Sequence, residues 1–160
     1  MKKLPIGTQS FEILRNMDCL YVDKTEHIHR MITEGRVYFL SRPRRFGKSL
    51  LISTLEALFK GRKELFEGLY IYDKWDWTQQ YPVITIDWSQ IDFTSLDELK
   101  YNLIKHMEGI AQDYKVSPDA KSAPAYFKQL IRTLNEKTGA KVVVLIDEYD
   151  CPVIDNLFNP

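Results

Sequence analysis

The chain has 160 residues, of which 22 are Lys or Arg and 22 are Asp or Glu, giving a formal net charge of zero. That balance excludes a strongly basic nucleic-acid arm and a long acidic tail. Hydrophobic residues make up 44% and aromatic residues 12%, with 7 Gly and 7 Pro, which is a globular composition rather than a disordered or repetitive one; the length suits one domain with a buried core.

Cys19 and Cys151 lie far apart and outside any C-x-x-C pair, so no disulfide framework or cysteine zinc site is expected, and a reducing, cytoplasmic setting is. The residues after Lys2 and Lys3 lack the apolar run of a signal peptide, and no stretch of about 18 apolar residues offers a membrane span.

In chain order, a short helix is predicted after Ser10, followed by an extended piece at Leu20 to Val22. Thr25 is placed to cap a second helix with an apolar face of Ile28, Met31 and Ile32, and Gly35 to end it. Val37 to Leu40, four apolar residues, reads as a buried strand. A loop from Ser41 to Gly47 opens a helix from Lys48 to about Lys60, in which Leu51, Leu55, Leu58 and Phe59 follow helical spacing and Gly61 stands just past the end. Lys63 to Gln80 reads as a short helical turn and a packed, aromatic loop. Val83 to Ile86 is a second buried strand ending at Asp87. Ser95 with Glu98 forms a capping box for a helix carrying Leu96, Leu99, Leu103, Met107 and Ile110 on one side. A further helix starts after Ser122, with Pro124 in its first turn, buries Phe127, Leu130, Ile131 and Leu134, and stops at Gly139. Val142 to Ile146 is the clearest strand.

Apolar strands separated by amphipathic helices predict an α/β fold: a parallel sheet covered by helices on both faces, with ligands beyond the carboxyl ends of the strands. Beyond Leu40 stands Ser41-Arg42-Pro43-Arg44-Arg45-Phe46-Gly47-Lys48-Ser49. The phosphate-loop pattern G-x-x-x-x-G-K-[ST] is met by Gly47, Lys48 and Ser49, with Arg42 in place of the first glycine. Gly47 lets backbone N–H groups approach a phosphate at the positive end of a helix, Lys48 can reach the β and γ phosphates, and the Ser49 hydroxyl can ligate Mg²⁺. The bland alternative is a basic surface loop at a helix start. Arg42, Arg44 and Arg45 either contact phosphates or are solvated.

The strand Val142 to Ile146 runs into Asp147-Glu148-Tyr149-Asp150. An Asp there can hold hydrated Mg²⁺ while the following carboxylate polarises a water. Strand alternation sends the two side chains to opposite faces, so both roles require the strand to end and the chain to turn at that point, which Tyr149 and Pro152 allow. The alternative is an acidic turn that only solubilises. Asp87 either faces the nucleotide or caps the next turn. His27 and His29 point to different faces, which argues against a shared metal, and His106 reads as a surface residue. Cys151 reads as a small buried side chain, and Trp75, Trp77 and Trp88 as core rings rather than a base-stacking platform.

Together these motifs, with Leu4-Pro5-Ile6-Gly7, Ser10-Phe11 and Tyr21-Val22-Asp23-Lys24-Thr25, resemble the bacterial and archaeal AAA-ATPase-like family, P-loop proteins that often carry a PD-(D/E)XK nuclease-like domain downstream. The resemblance spans nearly the whole chain, and in this family the phosphate loop also lacks its first glycine. It implies an AAA-ATPase-like P-loop domain over residues 1–160, with 1–35 as an amino-terminal extension. It further implies ATP and Mg²⁺ as ligands, with Arg45, Phe46, Gly47, Lys48, Ser49 and Leu50 at the nucleotide, Ser49 and Asp147 at the metal, and Lys48 and Glu148 as the catalytic pair. In such ATPases a further strand lies between the phosphate-loop strand and the Asp-Glu strand. The few residues after Ile146 do not supply it, so the expectation is an incomplete core, the amino-terminal part of a longer protein in which hydrolysis drives conformational change. The rival expectation is a non-hydrolysing module that docks a protein partner, or self-associates, through the aromatic stretch Tyr70 to Trp88. Within these residues there is no nucleic-acid signal.

Overall fold

The structure, a computed structural model, describes residues 2–41, 43, 45–91 and 94–151. The chain divides into two compact units, residues 1–80 and 81–160.

In the first unit, α1 (Phe11–Asn16) is capped by the Ser10 hydroxyl, which accepts the N–H of Ile13. The extended piece expected at Leu20 to Val22 is reduced to one bridge, Lys3 with Cys19, and a bond from the Leu20 N–H to the Lys3 carbonyl. Thr25 is the first residue of α2 (Thr25–Glu34) rather than its cap. The capping acceptor is Asp23, whose Oδ1 accepts the Thr25 N–H at 2.8 Å and the Thr25 hydroxyl at 2.7 Å. Its Oδ2 accepts the Tyr70 N–H at 2.7 Å, and Thr25 Oγ1 accepts the Ile71 N–H at 3.1 Å. The carboxylate and the fully buried hydroxyl thus pin the start of α2 to the 3₁₀ turn Tyr70–Asp73. Burial pushes the Asp23 carboxyl up, but the hydrogen bonds from Tyr70 and Thr25, with Arg15 nearby, outweigh it and hold the group below its ordinary value of 3.8.

Gly35 ends α2 as expected, but Val37 to Leu40 is not a strand. Val37 and Phe39 are 92% and 70% exposed, and the Tyr38 hydroxyl donates to the Met31 carbonyl. High β propensity is a preference for a pleated surface with neighbours, and among the described residues no strand lies beside this run. The next helix, α3 (Lys48–Phe59), has the predicted bounds and buries Thr54, Leu55, Ala57 and Leu58. It packs on α1, where the Phe11 N–H donates to Ser53 Oγ at 2.9 Å. Lys63 to Gln80 contains two 3₁₀ turns, Lys63–Phe66 and Tyr70–Asp73, close to the helical turn and packed loop expected there. Phe66 lies between Phe11 and Trp77, with ring centroids at 4.8 and 5.2 Å, and the Trp77 indole donates to the Tyr72 carbonyl.

The second unit is built on β1 (Val83–Asp87) and β2 (Val143–Asp147), which pair in parallel from Val83 with Val143 to Asp87 with Asp147. Between them run α4 (Leu96–Asp113) and α5 (Ala123–Thr138). Ser95 caps α4 by accepting the Glu98 N–H, while the Glu98 carboxylate turns to the N–H and hydroxyl of Thr94, so the box closes one residue earlier than its usual form. Gly139 ends α5 with φ +67, a conformation other residues reach only at a cost. Ile84 and Ile86 share a core with Met107, Ala111, Tyr126, Leu130 and Leu134, so both helices gather on that face of the sheet. Leu96 is a correction: it is 64% exposed, because the helix turns its first residue out of the face that Met107 and Ala111 bury.

The two edges of the sheet differ. Outward from β1, the Val83 N–H donates to the Tyr114 hydroxyl and the Thr85 carbonyl accepts from His106 Nε2 at 2.8 Å, so α4 covers that edge. His106 is therefore a half-buried edge cap and not a surface residue. Val144 and Ile146 point their backbone groups away from β1, and among the described residues no strand pairs along that edge; these two residues are 37% and 46% exposed. This corrects the expectation of a wholly buried strand. On the opposite face, the Thr85 hydroxyl is buried without a partner among the described residues.

Three outcomes follow from these polar groups. Asp23→Ala lowers the unfolding free energy of the first unit by about 1–3 kcal/mol, the cost of orphaning amides that a carboxylate had satisfied. Because the folded pKa is depressed, the Asp23 contribution is fully present above the unfolded value and is lost as pH falls through the folded one, so wild-type stability declines in acid more steeply than that of Asp23→Ala in a pH series of melts. Thr85→Val, which removes an unpaired hydroxyl at constant shape, raises stability by about 1 kcal/mol in denaturant titration.

Candidate functional site

The phosphate-loop candidates lie where a loop enters a helix. Of the loop arginines, Arg42 and Arg44 fall outside the described residues. Arg45 and Gly47 both adopt left-handed conformations, with φ of 66° and 74°. Gly47 is the N-cap of α3, and its carbonyl accepts the first helical bond, from the Leu51 N–H at 3.0 Å. Glycine brings no side chain to the N–H groups of the first turn, so those of Lys48, Ser49 and Leu50 have no side-chain cap from the N-cap position. These three residues are half-buried, while Arg45, Phe46 and Gly47 are exposed, Phe46 at 64%. The positive end of a 12-residue helix, opened by a left-handed glycine and carrying a lysine and a serine, has the elements from which an anion site is made.

The acidic candidates stand at the end of β2. Asp147 is the last strand residue and is only 7% exposed; its Oδ1 accepts the N–H of Glu148 at 3.0 Å. Glu148 has φ +48, and the Cys151 N–H closes back on its carbonyl at 3.0 Å. The strand therefore ends and the chain turns at the residue where strand alternation required it to turn if both carboxylates are to serve one site. Sequence reasoning missed a grouping made by that turn: ligating atoms of Glu148, Asp150 and Cys151 all lie within 4.8 Å of one another. The spacing E-x-D-C was visible, but its convergence depends on the left-handed Glu148.

Weaker candidates resolve into structural roles. The Asp87 carboxylate accepts from the Ser89 N–H, the Ser89 hydroxyl and the Gln90 amide, which is the cap of the turn Trp88–Gln90. His27 is exposed and His29 packs edge-on to Tyr70. Trp75 packs against Phe59, Trp77 against Phe66, and Trp88 against the core of the second unit. Cys151 is half-buried and Cys19 is buried. Among the described residues no helix is long and apolar enough to cross a membrane.

A family model described as "Predicted AAA-ATPase" (AAA-ATPase-like) matches residues 5–160, so the chain belongs to that family. It is also similar to an "Uncharacterized protein in vnfD 5'region" of Azotobacter chroococcum mcd 1, 42% identical over 160 residues that make up 99% of this chain and 31% of the relative. The chain thus spans about a third of the length of the curated relative it matches. No solved structure matches it.

The geometry at the N-cap of α3 makes a direct prediction. A Cβ at Gly47 meets nothing within 4 Å, so Gly47→Ala carries backbone strain without a clash. It costs about 1–2 kcal/mol in the unfolding of the first unit, and an unchanged unfolding free energy would contradict the left-handed cap.

Proposed function

We propose that this chain is the nucleotide-binding part of an ATPase. ATP is held at Gly47, Lys48 and Ser49, with Arg45, Phe46 and Leu50 adjoining. The carrying observation is the start of α3: a left-handed Gly47 at the N-cap, which brings no capping side chain to the helix, with Lys48 and Ser49 as the next two residues. Lys48 neutralises charge on the β and γ phosphates, and the backbone N–H groups take up the remaining oxygens. The Ser49 hydroxyl and the Asp147 carboxylate are the residues that would hold Mg²⁺. A hard cation suits these oxygen donors, and the buried Asp147 carboxylate, whose described partner is a single N–H, fits one. Bound Mg²⁺ would supply charge neutralisation across the phosphate oxygens. Glu148, turned out of the strand line, orients the attacking water and takes up its proton.

The same reading places a P-loop-type sheet around this site. The open edge of β2 beside Val144 and Ile146 supports it, since an added strand there is what the family resemblance implies. Hydrolysis would then change the conformation of attached parts of a longer protein, within the cytoplasm. A second reading, a non-hydrolysing module that docks a protein, draws support from the exposed Val37, Phe39 and Phe46. It draws less from the stretch Tyr70 to Trp88, whose tryptophans pack inward.

Calorimetric titration with ATP, with and without Mg²⁺, tests the reading. Lys48→Ala abolishes binding or weakens it by at least about tenfold, and undiminished affinity would sink the assignment. In a longer form that hydrolyses ATP, Glu148→Gln retains binding and loses turnover; equal turnover would move the base elsewhere.

A further inference from the structure

In a parallel ladder alternate residues of a strand bond to the neighbouring strand. The Val143 N–H donates to the Pro82 carbonyl at 2.9 Å, which places the odd-numbered residues of β2 on the β1 side. Val142, Val144 and Ile146 therefore turn their N–H and C=O groups outward, where among the described residues no strand pairs with them. Val144 and Ile146 are 37% and 46% exposed. Natural edges are commonly blunted by a lysine, a proline or a bulge. Val142 to Ile146 contains no lysine, proline or other charge, and its flanking charges are opposite in sign, Lys141 before it and Asp147 after it. Lys141 is exposed. The Asp147 carboxylate is buried in the single copy, with the Glu148 N–H as its described partner. An edge with opposite charges at its two ends is complementary to itself run the other way.

An antiparallel partner must set outward residues against outward residues. With Val144 opposite Val144 of a second copy, Val142 meets Ile146 and Lys141 meets Asp147, each pair occurring twice by two-fold symmetry. A shift of two residues either way sets Asp147 opposite Val143 or Gly139 and leaves the charges unmatched, so one register is selected. Pairing in that register joins two two-stranded sheets into one of four strands. It also continues the apolar face of Ile84 and Ile86, because Val144 and Ile146 are their partners in the ladder. The far edge, along β1, is already met by Tyr114 and His106, so association closes at two copies.

We propose that the outer edge of β2 is a docking surface for a second copy of this chain, paired antiparallel about Val144. The inference does not rest on the nucleotide-binding reading. An added strand of a longer form would take the same edge, and a cation at Asp147 would take the place of Lys141. The test therefore uses the 160-residue chain without nucleotide or Mg²⁺.

Sedimentation equilibrium of the wild type gives a reversible dimer, and amide exchange at Val142, Val144 and Ile146 slows as concentration rises. Position 144 meets itself, so Val144→Lys and Val144→Asp each set like charges on the axis and are monomeric, while an equimolar mixture of the two recovers the dimer mass. Lys141→Glu sets a carboxylate against Asp147 at both ends and raises the dimer Kd about tenfold, whereas Lys141→Arg keeps the wild-type value. Melting of each variant separates loss of pairing from loss of fold, and the exposed Lys141 variants decide the matter if position 144 does not accept a charge. A monomeric wild type, a dimer indifferent to these substitutions, a mixture that stays monomeric although both variants are folded, or association that continues beyond two copies would overturn the proposal.

Discussion

Backbone groups need partners, and the way each unit meets that need sets everything else in this chain. In the first unit the partners are helical bonds and borrowed side chains. Asp23 and Thr25 satisfy three N–H groups between them, Ser53 a fourth, and Arg15 caps the carbonyls of Leu65 and Glu67. In the second unit a two-stranded ladder does most of the work, with His106 and Tyr114 completing one edge. The other edge, along β2, is where this economy stops among the described residues. A parallel pair with one guarded and one open edge is asymmetric in a way that favours strand addition on the open side.

The helices were legible because their signals are local. Ser10, Ser95, Ser122 and Gly139 stand at observed caps, and the apolar spacing of α3 and α5 gives their buried faces. The strands Val83–Asp87 and Val143–Asp147 were legible as β-branched runs. Val37 to Leu40 carries the same signature and forms no ladder, because composition records a readiness to pair and says nothing of what lies alongside. The Asp23 fork was not legible either. Asp23 accepts from the Tyr70 amide and its neighbour Thr25 from that of Ile71, and no spacing rule connects residues so far apart. His106 was misread for the same reason, its partner being a carbonyl on β1 rather than anything on its own helix.

At the candidate site, residue identity came from motif and geometry from the fold. Gly47, Lys48 and Ser49 were visible as a phosphate loop with an unusual first position, and the left-handed Arg45 and Gly47 give that loop its shape. The left-handed Glu148 was not predictable, yet it answers the objection that strand alternation raised against pairing Asp147 with Glu148. The Ser53 hydroxyl, which accepts the Phe11 N–H, connects the helix behind the loop to the amino-terminal segment. Membership of the AAA-ATPase-like family agrees with these elements, and the nucleotide chemistry built on them is the account offered here.

The most direct measurement is a titration of the isotopically labelled chain with ATP, followed by amide NMR with and without Mg²⁺. The account predicts shifts at Gly47, Lys48 and Ser49 on adding ATP, joined by Asp147 and Glu148 when Mg²⁺ is present. Shifts confined to other residues, or a spectrum unchanged by Mg·ATP in a folded chain, would contradict it.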